Sequence, residues 1–156
     1  MMYFKAFTQS PGFCGPACIK MILDFYGSDK TEEEIAEICG ANRERGVSLD
    51  GIVKGCNYFG LQTKVIDNAQ FGNIREYVDK SIPVMVQWWS TDEGHWSIVG
   101  GIDDKNVYVQ DPHYGTMRMF SQDWFYGVWF DFHKGIMEKE NLILRRMIAV
   151  WKEQGC

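Results

Sequence analysis

The sequence predicts an α+β domain in which a helical lobe packs on an antiparallel β-sheet. Three observations carry that expectation. Up to Gly60, apolar residues recur at helical spacing in three capped segments; from Leu61 the pattern changes to alternation and short apolar runs. Two of those runs flank the turn-forming tetrad Asp103-Asp104-Lys105-Asn106, as a hairpin requires. The 156 residues, 46% apolar and 24% charged, suffice for one domain with a proper core. No repeat or linker divides the chain, so residues 1–156 are read as a single domain.

The first helix runs from Cys14 to a stop at Gly27, with Ala17, Cys18, Met21, Ile22 and Phe25 on its apolar stripe. Pro16 fits its first turn, where a missing N–H costs nothing. Thr31 opens the second helix through a capping box with Glu34, and Gly40 ends it. The third starts near Ser48, carries Leu49, Ile52, Val53 and Cys56 on one face, and stops before Gly60. Then come an alternating strand, Leu61 to Ile66, and a helix over Ile74 to Lys80. Pro83 to Trp89 reads as a strand buried on both faces. His95 to Ile102 and Val107 to Gln110 form the hairpin, Thr116 to Phe120 the next strand, and Ser121 opens a short helical turn. In the tail, Met147 to Trp151 suits a buried strand better than a helix face.

Composition narrows the function. The net charge of −5 is scattered, without the basic stripe that would meet nucleic-acid phosphates. No apolar run reaches the roughly 18 residues that cross a bilayer, and the N-terminus lacks the features of a signal peptide. The expectation is a soluble, cytoplasmic domain. Five cysteines at irregular spacing, with no CxxC pair, suggest neither a disulfide framework nor structural zinc. No metal or cofactor is expected. Aromatics reach 15%, mostly core or sheet-face residues, some of which could line a groove for an extended ligand.

Chemistry concentrates at three residues. Cys14 begins the first helix, where free N–H groups and the positive dipole end favour thiolate over thiol. Gly15 beside it has no side chain to block a substrate. Cys18, one turn on, belongs to the apolar stripe and is expected to be inert, as are Cys39, Cys56 and Cys156. His95 opens a strand, where the sheet would hold its ring as a general base; His113 and His133 lie in less regular segments. Asp111 ends the partner strand. A three-residue loop, Asp103 to Lys105, would pair Ile102 with Asn106 and set Asp111 opposite Ser97. His95 and Asp111 would then be diagonal neighbours on one face, about 7–8 Å apart. An even loop without a bulge would put them on opposite faces. Taken singly, each residue also has a plain structural explanation: a packed thiol, a satisfied histidine, an Asp-Pro turn.

Taken together, the strings Gln9…Cys14-Gly15-Pro16-Ala17-Cys18, Tyr26-Gly27, Cys39-Gly40, Gly46-Val47-Ser48-Leu49-Asp50-Gly51-Ile52, His95-Trp96-Ser97-Ile98-Val99-Gly100-Gly101-Ile102 and Asp111-Pro112-His113-Tyr114-Gly115 resemble a known family. It is the bacteriocin-processing, double-glycine-leader cysteine peptidase family of the papain-like superfamily. The resemblance runs from about Gln9 to about Trp129. It implies a papain-like fold, with Cys14 as nucleophile, His95 as base and Asp111 orienting the imidazole. It also implies that Gln9 donates to the oxyanion with the Cys14 main-chain N–H. Gln9 lies five residues before Cys14, one fewer than the superfamily pattern. Family members are commonly fused to an ABC transporter. This chain has no GxxxxGK[ST] phosphate loop, so no ATP chemistry is carried over from the resemblance, and an ABC transporter is expected as a partner in trans.

Three activities fit these residues. One is a stand-alone cysteine peptidase acting on an extended or leader peptide. Another is a transpeptidase of the phytochelatin-synthase kind, in which an amine outcompetes water for the acyl-enzyme. The third is a leader-binding module that does not cut, against which the complete triad weighs. A metal site from Cys14, His95 and His113 is a remote fourth. For the peptidase, a groove under crowded aromatics would favour small residues before the cut, with Trp88, Trp89 and Trp96 as candidate walls.

Overall fold

The computed structural model describes residues 1–153. Three helices come first: α1 (Cys14–Phe25), α2 (Glu32–Cys39) and α3 (Leu49–Tyr58). There follow β1 (Leu61–Ile66), α4 (Phe71–Val78), β2 (Val84–Ser90), β3 (Glu93–Ile102), β4 (Asn106–Asp111), β5 (Thr116–Ser121) and α5 (Gln122–Val128). The chain closes with β6 (Phe130–Phe132), β7 (Leu142–Leu144) and β8 (Arg146–Lys152). The α+β architecture is as expected, and the caps explain the helix boundaries. Glu34 N–H donates to Thr31 Oγ1 at 3.1 Å and Thr31 N–H to Glu34 Oε2 at 2.8 Å, closing the capping box of α2. Gly40 ends that helix at φ 66°, a left-handed conformation that glycine adopts without strain. Ser48 caps α3 from the Gly51 N–H. Helix α4 begins at Phe71, three residues before the expected Ile74, because Asn73 Oδ1 accepts the Gln70 N–H at 2.8 Å and closes its first turn there.

Six strands form one antiparallel sheet in the order β1-β8-β2-β3-β4-β5, and β6 pairs with β7 in a two-stranded sheet. The tail is therefore an interior strand, which accounts for the apolar run Met147-Ile148-Ala149-Val150. Alternation along it feeds two cores. Ile148 and Val150 join Met85, Trp96 and Ile98 beneath α1, α2 and α3. Met147 and Ala149 join Val84, Val86, Trp88, Val99 and Val109 beneath α4 and α5 on the other face. Helices thus cover both faces, and the helical turn expected at Ser121 is a two-turn element that completes the second layer.

The central hairpin departs from its expected register. Ile102 pairs with Val107, so the turn spans four residues and the register near it is odd. A bulge between Val99 and Gly101 then shifts the pairing, giving Val99 opposite Val109 and Ile98 opposite Gln110. Continued to the strand ends, this places Asp111 opposite Ser97. The extra residue at Gly100 restores the same-face relation of His95 and Asp111 that the even turn alone would have broken.

Candidate active site

Cys14 is delivered by a loop without regular structure, Gln9 to Phe13, that leads into the first turn of α1. The Gln9 N–H donates to Pro112 O at 2.8 Å, and the Phe13 N–H to Ser10 O at 3.0 Å. Gly12 sits at φ 78° against the Arg43 carbonyl, where a Cβ would collide with main chain. Phe13 lies beneath the Arg43 guanidinium, 4.5 Å from its ring centroid. The Cys14 main-chain N–H is one of the donors a helix start leaves without an intrahelical partner. Cys14 is partly exposed, whereas Cys18, Cys39 and Cys56 are buried. Burial pushes the Cys18 thiol well above its ordinary value, Cys39 up to about 11 and Cys56 to about 12, so these three stay protonated and unreactive. Cys156 lies outside the described residues.

His95 stands near the start of β3, and its Nε2 is 2.7 Å from Asp111 Oδ1. Asp111 is fully buried and held from three sides: its Oδ1 also accepts the His113 N–H at 2.9 Å, and Arg118 Nη1 donates to its Oδ2 at 2.9 Å. Burial alone would raise the Asp111 carboxyl. The hydrogen bond and charge of His95, with the His113 N–H and Arg118, outweigh it and hold Asp111 below the usual range. Burial alone would lower His95. Hydrogen bonding to Asp111 and Cys14, and the negative charge of both, lift it instead from 6.5 to about 9. With Nε2 given to Asp111, Nδ1 is the nitrogen left for the thiol. The edge of Trp88 packs 5.8 Å from the His95 ring, and Trp88 Nε1 donates to Ser97 Oγ at 3.0 Å.

Cys14, His95 and Asp111 are thus gathered at one place, with Gln9 on the adjoining loop. Gln9 Nε2 makes one long contact, 3.4 Å to Ser10 O, and its Oε1 is buried without a partner. The residues expected to shape a groove lie elsewhere. Trp96 is 4% exposed and packs in the core beneath the helices, with the Cys18 thiol on its carbonyl. Gly15 is buried too, and a side chain there would overlap Val47 and Ile52, so its smallness serves helix packing. Trp88 is buried behind His95, and Trp89 stacks on Phe130 with ring centroids 5.6 Å apart. The space that opens beside His95 is a cavity of about 350 Å³ lined by Ser90, Thr91, Asp92, Glu93 and His113. Among the described residues, no three His, Cys, Asp or Glu side chains cluster closely enough to hold a metal ion.

Arg118 escaped sequence reasoning. Its guanidinium lies 4.8 Å from the Tyr114 and Phe120 ring centroids and reaches Asp111 from β5. The signal was the tight Asp-Pro-His-Tyr-Gly turn. It pairs Asp111 with Thr116, and period two then puts Arg118 on the same face.

A model of the Peptidase C39 family matches residues 7–132, most of the chain and all of the site. The chain belongs to the Peptidase C39 family. Among similar proteins, an uncharacterized protein of Methanothermobacter marburgensis is 27% identical over 112 residues, 71% of this chain and 73% of that protein. The lactococcin-G-processing and transport ATP-binding protein LagD of Lactococcus lactis is 26% identical over 125 residues; the match covers 76% of this chain but 17% of that longer protein. The peptidase domain of Streptococcus ComA, a bi-functional ABC transporter, superposes with a TM-score of 0.77 at 21% identity, covering 97% of this chain and 100% of that one. A double glycine motif protease from an AMS/PCAT transporter, solved with its leader peptide, gives 0.70 at 18% identity over 97% and 93%. At such identities the structural likeness establishes the C39 fold. No helix among the described residues is long and apolar enough to cross a membrane.

Proposed function

We propose that this C39 chain is a cysteine peptidase that cleaves an extended peptide after a Gly-Gly-type leader. The observation that carries the reading is the partly exposed Cys14 at the start of α1, acting on a histidine whose other ring nitrogen lies 2.7 Å from the buried Asp111. Cys14 attacks the scissile carbonyl as thiolate while His95 holds its proton as imidazolium. The carbonyl oxygen, now negative, is met by the Cys14 main-chain N–H and the Gln9 Nε2 donor. Collapse of this intermediate breaks the C–N bond, and His95 gives its proton to the leaving amine. The neutral imidazole then draws a proton from water, whose attack on the thioester releases the leader acid and regenerates Cys14. Asp111 keeps the ring oriented and stabilises its charge throughout.

The double-glycine preference is supported by the family and by the protease from the AMS/PCAT transporter. The transport proteins among the relatives support an ABC transporter as partner, with cleavage on the cytoplasmic side where leaders are made. The test is mass spectrometry of Gly-Gly leader peptides incubated with the protein. Cleavage after the second glycine is expected, with no products from Cys14→Ala. Iodoacetamide should label Cys14 ahead of Cys18, Cys39 and Cys56 and abolish cleavage in step. An added amine or thiol-peptide acceptor should leave hydrolysis as the main outcome; acyl transfer to it as the main product would make the chain a transpeptidase instead. Intact peptides overturn the peptidase reading.

A further inference from the structure

The loop that carries Gln9 and leads to Cys14 is anchored by a residue the mechanism has not used. The Ser10 N–H donates to Glu32 Oε2 at 2.9 Å. Glu32 is the first residue of α2, 22 positions on in the chain, and is 3% exposed. Among the described residues no lysine, arginine or histidine forms a salt bridge with it. Burying a carboxylate without a cation is costly unless strong hydrogen bonds reward it. The needs of α2 do not explain that burial, because Thr31 and Glu34 already close its capping box. The dipole of α2 eases the charge, but Glu33 and Glu34 enjoy the same benefit at the surface.

Ser10 is the hub of the loop. Its N–H is held by Glu32, its carbonyl accepts the Phe13 N–H, and the Gln9 amide rests on that same carbonyl. We infer that Glu32 is a positioning residue for the oxyanion donors: by fixing the Ser10 peptide it sets the Gln9 side chain on one side and the first turn bearing the Cys14 N–H on the other. The inference rests on the proposed peptidase chemistry for its use, and on the loop's own geometry for its existence.

Two reactions of Cys14 separate this role from general support. Attack on p-nitrophenyl acetate passes through a carbonyl oxyanion, acetylates the sulfur and releases one p-nitrophenolate. Iodoacetamide alkylates the same sulfur by displacing iodide, with no oxyanion. Glu32→Met keeps the buried volume and removes the acceptor; Glu32→Gln keeps an acceptor oxygen. The Met variant should lose about tenfold or more in the burst rate, since removing one oxyanion donor outright costs roughly 10²–10³ in rate. Its iodoacetamide rate should stay within about twofold, and the Gln variant should keep both rates within about threefold. With a leader peptide the loss should fall on kcat and leave KM unchanged. If the Met variant does not fold, Glu32→Asp, which draws the acceptor back by one methylene, is expected to show the same split more weakly. An unchanged burst rate, a parallel fall of both rates, or a wild-type protein without a burst would each overturn the inference. A wild-type protein that shows the burst yet cuts no leader would overturn the proposed function and leave the role of Glu32 standing.

Discussion

In the proposed mechanism the two ring nitrogens of His95 have different duties: Nε2 lies 2.7 Å from Asp111, and Nδ1 is left for Cys14 and the leaving amine. The arrangement depends on Asp111 staying ionised and still inside the protein, and Arg118 supplies part of both. Its guanidinium binds Oδ2 while Tyr114 and Phe120 flank it. Arg118→Met should therefore lower kcat of the peptidase about tenfold, comparable to the low end of the loss when hydrogen bonds that orient metal-ligating side chains are removed, with KM unchanged. Arg118→Lys should not rescue it, because an ammonium offers neither the planar fork nor the stacking surface. Steady-state kinetics on a Gly-Gly peptide decides the matter, and full activity in the Met variant would remove Arg118 from the machinery.

Strand β3 is shaped at both ends by glycine. At Gly100 the bulge re-aims the strand, and a side chain there would press on the Met2 carbonyl and on Phe4 and Met117. The Met2 N–H in turn donates to Gly100 O at 2.7 Å, so the N-terminal segment is tied down where the register shifts. At Gly94, beside His95, a methyl group would overlap the Asp131 carboxylate, which reaches over from β6 and accepts from Gln87 Nε2 and the Phe132 N–H at 2.7 Å each. Gly94→Ala should cost about 1–3 kcal/mol, the usual price of overfilling a packed site. Asp131→Ala clears that space while losing two hydrogen bonds, so the double variant should be less destabilised than the two single effects added. Urea unfolding of the four proteins measures this; strict additivity would show that Gly94 and Asp131 do not share the space.

The whole molecule meets at the site: helices α1 to α3 on one face of the sheet, α4 and α5 on the other, and the N-terminal segment linking helical lobe to sheet through Gln9 and Pro112. Folding stability should report the His95–Asp111 pair. The folded-state value of His95, about 9, lies above its ordinary 6.5, so the native state holds a proton that the unfolded chain releases between them. The pair's contribution is full below pH 6.5 and is lost as pH rises through 9. Urea midpoints should fall between pH 6.5 and 8.5, a window below the ordinary 9.0 of the buried thiols, whose titration in the unfolded chain would add to the loss. Asp111→Asn should flatten that decline. At the acid end the sign reverses. Asp111 is depressed below 3.8, so its share is lost only as pH drops beneath that value. A decline unchanged in Asp111→Asn would mean that other groups govern it.

The sequence by itself determined what local chemistry determines. Caps and apolar stripes define α1, α2 and α3; the apolar runs and the Asp103–Asn106 turn define the hairpin; and a thiol at a helix start, a histidine near a strand's opening and an aspartate at its partner's end were legible as one constellation. The tertiary structure decided everything that depends on which surfaces meet. Period two reports that a strand has a buried face but not which strand lies beside it, so β8 entering between β1 and β2 was not readable. Nor were the burial of Trp96 beneath the helices, or Val47 and Ile52 filling the space beside Gly15. The even turn and the bulge cancel in the register, so His95 and Asp111 meet by a route that the assumed three-residue loop did not contain. Glu32 and Arg118 come to the site only in the folded chain. Each lies on an element that reads as ordinary surface, and its hydrogen bond spans a contact that only the packed chain creates.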